Sequence, residues 1–314
     1  MILALAGGVG GAKLAHGLQL SLAPDELLTI VNTGDDFDHF GLRICPDLDT
    51  VTYTLSGRAN TETGWGLAGE SWNFLEALRE LDTDTWFQLG DRDLATHAYR
   101  TRALSEGQSL SQVMSTLSRR LGVPTRIAPM SDDDVRTMVD TDEGELPFQE
   151  YFVRRRCEPR VNALRFEGAS TARASAALDN ALDNPALTAI IICPSNPFLS
   201  VAPMLSMPGI RERLCAAPAP VIAVSPIVGG DAIKGPAAKL MREFGLEPSA
   251  TAVATHYGDL LDGFVIDELD RALAPTIDGP EVLVAQSVMR NNNDRAELAA
   301  QVIAFAENLV AAQK

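Results

Sequence analysis

The opening stretch MILALAGGVGGAKLAHGLQLSL (residues 1–22) decides the fold class of this 314-residue chain. Residues 1–6 form an apolar run of strand length that leads into a cluster of glycines. Beyond the glycines, Leu14, Leu18 and Leu22 recur at the spacing of a helix with one buried face. A second apolar run, LLTIVN at residues 27–32, follows the helix. The chain is therefore predicted to begin with a β-α-β unit and its parallel sheet.

Similar apolar runs return in the second half of the chain, at residues 188–193, 221–224 and 264–266. Helical patterns lie between them, and a last helix is predicted over residues 294–311 with Asp294 as its N-cap. This alternation predicts a Rossmann-like α/β fold with three layers, in which helices cover both faces of a mostly parallel sheet.

Residues 105–166 interrupt this alternation, and we predict that they form an inserted α+β subdomain. The segment contains a helical pattern and two strand-like pieces, at residues 110–121, 135–140 and 148–153. No linker separates it from its surroundings, so it should pack on a Rossmann-like core formed by residues 1–104 and 167–314.

The charge balance restricts the partners of the protein. Twenty-six basic and 42 acidic residues give a net charge of −16. The resulting field repels nucleic acids and anionic membranes, so neither is an expected partner, and a phosphate compound must be held by local N–H groups, cations or a metal. No apolar run approaches the length of a membrane span, and the four cysteines form no C-x-x-C pair. We expect a cytoplasmic protein without a disulfide framework.

The glycine-rich segment GGVGGAK (residues 7–13) matches neither of two familiar nucleotide motifs. Lys13 stands where the dinucleotide fingerprint needs its third glycine, and the spacing of a P-loop is absent. Gly7, Gly8, Gly10 and Gly11 nevertheless allow close approach of a ligand to the backbone at the positive end of a helix. A phosphate or nucleotide site is the favoured interpretation, and a purely structural tight turn is the alternative.

Five carboxylates follow the second predicted strand, within NTGDDFD (residues 32–38) and CPDLDT (residues 45–50). Carboxylates so close together repel one another unless a cation holds them, and Mg²⁺ prefers such oxygen ligands together with substrate phosphates. Taken singly, Asp35 could be a turn residue, and Asp47 or Asp49 could cap a helix at residues 50–55.

Three further polar groups follow predicted strands. Ser195 and Asn196 lie between two prolines in PSNP (residues 194–197), which suggests a rigid recognition loop. Arg92 follows a short predicted strand at residues 86–89, and its alternative interpretation is an ion pair with the flanking aspartates. Lys234 could supply charge to a phosphate or be simply solvated.

Taken in order, these segments resemble the 2-phospho-L-lactate transferase (CofD) family of coenzyme F420 biosynthesis. The resemblance covers nearly the whole chain through the motifs GGVGGAK, VNTGDD, ICPDLDTVTYTLSG, GWG, LGDRDLATH, PMSDD, FQEYFV, IICPSNP, VSPIVGG and KGPAAKLM. It implies a Mg²⁺-dependent enzyme that joins a phosphorylated three-carbon acid, carried as a guanosine diphosphate derivative, to the terminal hydroxyl of the deazaflavin Fo. GMP is released. The acid is phospholactate, phosphoenolpyruvate or 3-phosphoglycerate.

The resemblance also implies roles for individual residues. Asp35 and Asp49 would be the catalytic carboxylates and metal ligands, and Asp49 with Arg92 would contact Fo. The guanosine diphosphate part would be held by the glycine turn and its neighbours: Gly7, Gly8, Gly10, Gly11, Lys13, Ser195 and Asn196. A guanylyltransferase would make the donor, and a homodimer is the expected assembly.

Two other functions are disfavoured by the sequence. A nucleotide-sugar-binding regulatory protein of related fold should carry glycines and serines after the acidic pair, where this chain has FDHF at residues 37–40. A nicotinamide dehydrogenase is disfavoured by Lys13.

Overall fold

The structure is a computed structural model that describes residues 1–312. Numbered along the chain, its strands are β1 (Ile2–Ala6), β2 (Leu27–Val31), β3 (Phe37–His39), β4 (Leu42–Ile44), β5 (Arg126–Pro129), β6 (Arg136–Thr141), β7 (Gly144–Pro147), β8 (Val161–Glu167), β9 (Ala189–Ile192), β10 (Val221–Val224), β11 (Ile227–Val228), β12 (Asp231–Ala232), β13 (Gly263–Asp267) and β14 (Glu281–Ala285).

Its α-helices are α1 (Gly8–Ser21), α2 (Pro46–Leu55), α3 (Asn73–Glu80), α4 (Asp91–Ser105), α5 (Leu110–Leu121), α6 (Ala176–Leu182), α7 (Ala202–Leu205), α8 (Ile210–Cys215), α9 (Ala237–Glu243), α10 (Ala250–Tyr257) and α11 (Asn292–Ala312). Two π-helical turns span Glu150–Arg154 and Pro197–Val201, and two 3₁₀ segments span Gly258–Leu260 and Glu268–Thr276. Within residues 1–312, no helix combines the length and apolar character needed to cross a bilayer.

A seven-stranded sheet forms the centre of the molecule, in the order β14-β13-β10-β9-β1-β2-β5 with every neighbouring pair parallel. Alternate residues of β1 point to opposite faces: Leu3 and Leu5 join one buried cluster, and Ile2, Ala4 and Ala6 join the other. The second cluster is completed by α1, α2, α5 and α11, and the first by α6 to α10. The predicted three-layer α/β fold is confirmed.

The segment predicted as an insertion, residues 105–166, contributes one strand to this central sheet. The sequence did not indicate this contribution. Strand β5 of the segment pairs with β2, with Thr29 opposite Ile127. A separate antiparallel sheet, in the order β7-β6-β8, is built from the following part of the chain. The division of the chain into a core and an inserted subdomain at residues 105–166 therefore stays a prediction. Strand β5, which lies within those residues, belongs to the central sheet of the core.

Other local predictions need correction. Residues 148–153, predicted as a strand, are helical because Phe148 and Tyr151 are buried three positions apart while Phe152 is exposed. Residues 86–89 form no strand, and the ring of Trp86 packs instead on the β3–β4 hairpin. Asp294 lies in the first turn of α11, where its carboxylate accepts a hydrogen bond from the Arg290 N–H.

Candidate functional site

The glycine turn and the loop after β9 lie in direct contact. Gly7 is the N-cap of α1, and its N–H donates to Ser195 Oγ over 3.0 Å. A Cβ on Gly10 would overlap the carbonyl oxygen of Pro194, and one on Gly11 would overlap Ser195 Oγ. The structure therefore brings together two segments of the predicted nucleotide site. It also shows that Gly10 and Gly11 are required by contacts within the protein itself.

Asn196 shapes the chain immediately after this loop. Its Oδ1 accepts hydrogen bonds from the N–H groups of Phe198 and Leu199, at 2.9 and 3.2 Å, and so caps the π-helical turn. Its Nδ2 is buried and has no hydrogen-bond partner among residues 1–312. The amide of Asn196 is therefore a donor that the rest of the protein leaves unused.

Asp47 joins the glycine turn to the end of β2. Its Oδ1 accepts a hydrogen bond of 2.7 Å from the Gly8 N–H, and its Oδ2 accepts one of 3.0 Å from Asn32 Nδ2. Asp47 lies in the first turn of α2 but thereby caps α1, a different helix from the one that the sequence suggested. Burial raises the pKa of Asp47 to about 6, while the bonds from Asn32 and Gly8 oppose that rise.

Two further carboxylates, Asp35 and Asp36, are buried just after β2. The pKa of Asp35 is raised well above its ordinary range, first by burial and then by the charges of Asp47 and Asp36. Its Oδ1 has no hydrogen-bond partner in the described part of the chain. Burial also raises the pKa of Asp36 to about 7, against the opposing charge of Arg43. Closely spaced carboxylates with an unpartnered oxygen fit a hard divalent cation.

Asp49 faces a different neighbour. It stands two positions after Asp47 on α2, which places the two side chains about 200° apart around the helix axis. Both of its carboxylate oxygens accept hydrogen bonds from the guanidinium of Arg100, a fully buried residue of α4. The family resemblance paired Asp35 with Asp49 as metal ligands, whereas in the structure the pKa of Asp35 responds to the charge of Asp47, and Asn32 is a neighbour of both.

The pair of Asp49 and Arg100 belongs to a larger buried network. His97 Nδ1 lies 3.7 Å from Asp49, and its Nε2 lies 3.1 Å from Asp93. Tyr53 donates its hydroxyl to Asp93 over 2.5 Å. Sequence reasoning missed this network, although Asp93, His97 and Arg100 follow the i, i+4, i+7 spacing of one helix face.

The oxygen and nitrogen atoms of Asp49, Asp93 and His97 lie within 4.8 Å of one another, close enough to hold a metal ion. The Arg100 guanidinium already supplies positive charge to this group through Asp49. The network is therefore better described as a charge-paired scaffold than as a metal centre.

Arg92 lies at the exposed start of α4 and is not paired with its flanking aspartates. Its Nη1 donates to the carbonyl oxygen of Ala68 over 2.6 Å. Asp91 instead accepts bonds from Ser71, Asn73 and Phe74, and Asp93 faces the buried network. The alternative interpretation of the Asp91–Arg92–Asp93 triplet as an ion pair is therefore wrong. Beside it is a small pocket lined by Asn60, Thr63, Trp65, Gly66, Leu67, Glu70, Trp72, Gly90 and Asp93.

Two lysines lie close to the glycine turn. Lys13 Nζ donates to the carbonyl oxygen of Met289 over 2.9 Å. Its pKa is lowered by burial and by the positive charges of Arg295 and Lys234. A Cβ on Gly64 would overlap Lys234 Nζ and lie 3.7 Å from a methyl of Val9, so the Lys234 ammonium lies beside the first turn of α1. Positive charge is thus concentrated there in a strongly acidic protein.

The family model for 2-phospho-L-lactate transferase CofD matches residues 2–304. The chain belongs to the CofD family. It is 42% identical to a phosphoenolpyruvate transferase of Kitasatospora aureofaciens, over 98% of this chain and 98% of that protein. It is 41% identical to a 2-phospho-L-lactate transferase of Methanosarcina mazei, over 85% of this chain and 86% of that one. The resemblance stated from the motifs is confirmed.

The fold of this CofD-family chain also matches a solved structure. A member of the UPF0052 family from Bacillus halodurans superposes with a TM-score of 0.62 over 96% of this chain and 98% of that one. The sequence identity is 15%, so the match shows the shared fold alone.

A cavity of about 490 Å³ lies beyond the carboxyl end of β2. It is lined by Thr33, Asp36, Asp38, Gly41, Arg43, Thr101, Leu104, Leu110, Asp132, Asp133, Asp134 and Val135. Two aspartates of this wall are engaged by neighbours: Asp132 accepts a hydrogen bond from the Ser111 N–H, and Asp134 pairs with Arg43. The acidic wall of this cavity is thus partly neutralised by Arg43.

Proposed function

We propose that this protein transfers a phosphorylated three-carbon acid from its guanosine diphosphate derivative to the terminal hydroxyl of Fo, with release of GMP. The observation that carries the proposal is the CofD family match from residue 2 to residue 304. Relatives that cover 98% of the chain are named for transfer of a phosphorylated three-carbon acid, which supports the same assignment.

The donor diphosphate is proposed to bind at the start of α1. The N-terminal end of a helix carries partial positive charge, and the basic side chains of Lys13 and Lys234 lie beside it. The unused amide of Asn196 lies in the loop that contacts the glycine turn. Anion binding at this point would be local, as the net charge of −16 requires.

Mg²⁺ is proposed to bind Asp35 together with Asp47. This assignment differs from the pair Asp35 and Asp49 expected from the sequence, because the charge of Asp49 is already matched by Arg100. When bound, the ion would neutralise charge on the donor phosphates. Asp35 and Asp47 would hold it next to the glycine turn, to which Asp47 is bonded.

Fo is proposed to bind on the α4 side, between Asp49 and Arg92. Trp65 and Trp72 line the pocket there, with ring centroids 6.4 Å apart, and offer flat apolar surfaces to a heteroaromatic ring. Asp49 would accept a hydrogen bond from the acceptor and so orient it. In-line transfer needs positioning and charge stabilisation rather than a protein nucleophile, which fits a site of this composition.

The test is a turnover assay with Fo, GTP, the partner guanylyltransferase and each of the three candidate acids. GMP release and the mass of the product identify the acid that is transferred. Turnover should require Mg²⁺ and stop in EDTA. A protein that forms no product with any donor, but binds a nucleotide sugar, would be a regulator and would overturn the proposal. The homodimer and the cytoplasmic location stay predictions.

A further inference from the structure

Among residues 1–312, Arg100 is the largest fully buried side chain, with 0% of its surface exposed. It donates from both terminal nitrogens to both oxygens of Asp49, and Nη1 also contacts the Arg43 carbonyl oxygen at 3.2 Å. A two-pronged contact of this kind fixes the plane of a carboxylate as well as its place. We propose that Arg100 is the positioning residue that fixes the Asp49 carboxylate for binding of the acceptor alcohol.

The charge environment agrees with such a role. Burial alone would lower the pKa of Arg100, but the charge of Asp49 raises it above its ordinary value. Burying an ion pair brings little net stability compared with apolar residues of the same volume. Stability therefore does not explain why Asp49 and Arg100 form a buried ion pair beside a proposed substrate site. The orientation that Arg100 imposes on the Asp49 carboxylate is the better explanation.

The remaining contacts hold Asp49 from the same side. His97 lies between Asp49 and Asp93, and Asp93 is in turn bonded by Tyr53. Asp93 also lines the pocket next to Arg92. One rigid helix, α4, therefore presents Arg92 at its start and Arg100 about 12 Å further along its axis. Because Arg100 holds Asp49, helix α4 links Asp49 and Arg92, the two residues that are proposed to contact Fo.

This inference rests on the proposed function, because it assumes that Asp49 meets Fo. The test compares Arg100→Lys, which keeps the charge but loses the two-pronged contact, with Arg102→Lys as a matched control. Arg102 lies on the same helix, its side chain is 80% exposed, and it pairs with Glu106. The measurements are Fo affinity by equilibrium titration, GDP affinity, the KM for each substrate, and thermal stability.

Arg100→Lys is expected to weaken Fo binding and raise the KM for Fo by about tenfold, with GDP affinity within about twofold of wild type. Arg102→Lys should change neither. A folded Arg100→Lys protein with wild-type Fo affinity would overturn the inference, because it would show that Arg100 serves stability alone. Wild-type protein that binds no Fo would instead overturn the proposed function.

A second variant covers the case in which Arg100→Lys does not fold. Tyr53→Phe removes only the hydroxyl bond to Asp93 and keeps the packing of the ring. Because Asp93 holds Asp49 only indirectly, through His97, Tyr53→Phe should weaken Fo binding by about threefold and leave GDP binding unchanged. Equal loss of both affinities, or no loss of either, would contradict a positioning network on the acceptor side.

Discussion

Asp47 accepts a hydrogen bond of 2.7 Å from the Gly8 N–H, so the start of α1 already faces a negative charge that α2 supplies. The same carboxylate accepts a bond from Asn32, at the end of β2. The side chain of Asp47 thereby joins α2 to the glycine turn and to the acidic segment that follows β2. A cation placed at this junction would balance Asp35 and Asp47 and leave the donor phosphates attracted rather than repelled.

The first prediction concerns this junction. Asp35→Asn and Asp47→Asn should each raise the half-saturating concentration of Mg²⁺ by at least about tenfold, because each removes one negative ligand. Asp49→Asn should leave the Mg²⁺ dependence near that of wild type and weaken Fo binding instead. Initial rates over a range of Mg²⁺ concentrations, with calorimetric titration of the metal, measure both effects. A shifted Mg²⁺ dependence in Asp49→Asn alone would restore the pair Asp35 and Asp49.

The second prediction is that the same amide substitutions have opposite effects on metal-free stability. Asp49→Asn leaves the buried guanidinium of Arg100 without its hydrogen-bonded counter-charge, which should cost about 3 kcal/mol of unfolding free energy. Asp35→Asn removes a carboxyl that is buried among like charges, so stability should be unchanged or raised. Denaturant unfolding in EDTA compares the two. Equal destabilisation by both would show that the charge pairing described for Asp49 is wrong.

The third prediction is a pH dependence that originates in Asp36, whose side chain is 2% exposed. Its folded pKa of about 7 lies above the ordinary value of 3.8, so the folded state binds the proton more tightly than the unfolded state. The stability from this group is complete below the ordinary pKa and is lost as the pH rises through about 7. Each unit of pKa difference corresponds to about 1.4 kcal/mol.

Asp36→Asn should abolish that contribution. Relative to wild type, the variant should gain stability progressively from about pH 4 to about pH 7. Arg43 and Arg100, which oppose the rise, and Asp49, which adds to it, are unchanged in the variant. Unfolding free energies in EDTA across this range give the comparison. Parallel pH profiles for the two proteins would mean that Asp36 does not titrate in this range.

The sequence predicted the parts of the fold that periodicity controls. Helix α5 was predicted at its observed bounds, because its apolar positions repeat regularly and Gly122 ends it in a left-handed conformation. Strand β5 was missed as a member of the sheet because only the four residues from Arg126 to Pro129 pair, and their ends are polar and proline. Short strands carry too little pattern to be assigned to a sheet.

The candidate site was likewise predicted only in part. The glycine turn and the PSNP loop were predicted to cooperate, and they touch because parallel strands β1 and β9 are neighbours and end at one edge. The partner of Asp49 was not predictable, because Arg100 lies 51 positions away and meets Asp49 only when α2 packs near α4. Which of Asp47 and Asp49 faces Asp35 depends on the rotation of α2, which composition does not reveal.

The fourth prediction tests the contact between glycine turn and loop. A Cβ on Gly10 would overlap the Pro194 carbonyl, a backbone atom that can move only with its loop. Gly10→Ala should therefore cost about 1–3 kcal/mol of stability and weaken GDP binding. Gly57→Ala is the control: that site has a φ of +69° and open space around it, so only a backbone cost of about 1 kcal/mol is expected.

Thermal melts and GDP titration of both variants separate the possible results. Wild-type stability in Gly10→Ala would contradict the close packing against Pro194. Lower stability with unchanged GDP affinity would remove the diphosphate from this end of α1.

The last prediction separates the acceptor from the donor. Arg92 is exposed and bonded to the Ala68 carbonyl, and its flanking aspartates are engaged elsewhere, so its charge is available to a ligand. Arg92→Met keeps most of the apolar length of the side chain and removes the charge. It should weaken Fo binding by about tenfold or more, since a hydrogen bond to a charged group contributes about 1.5–3 kcal/mol, and leave GDP affinity within about twofold. Arg102→Met, further along α4 and also exposed, controls for the loss of one positive charge. Titration of Fo and GDP against both variants gives the comparison, and weakened GDP binding with normal Fo binding would move Arg92 to the donor side.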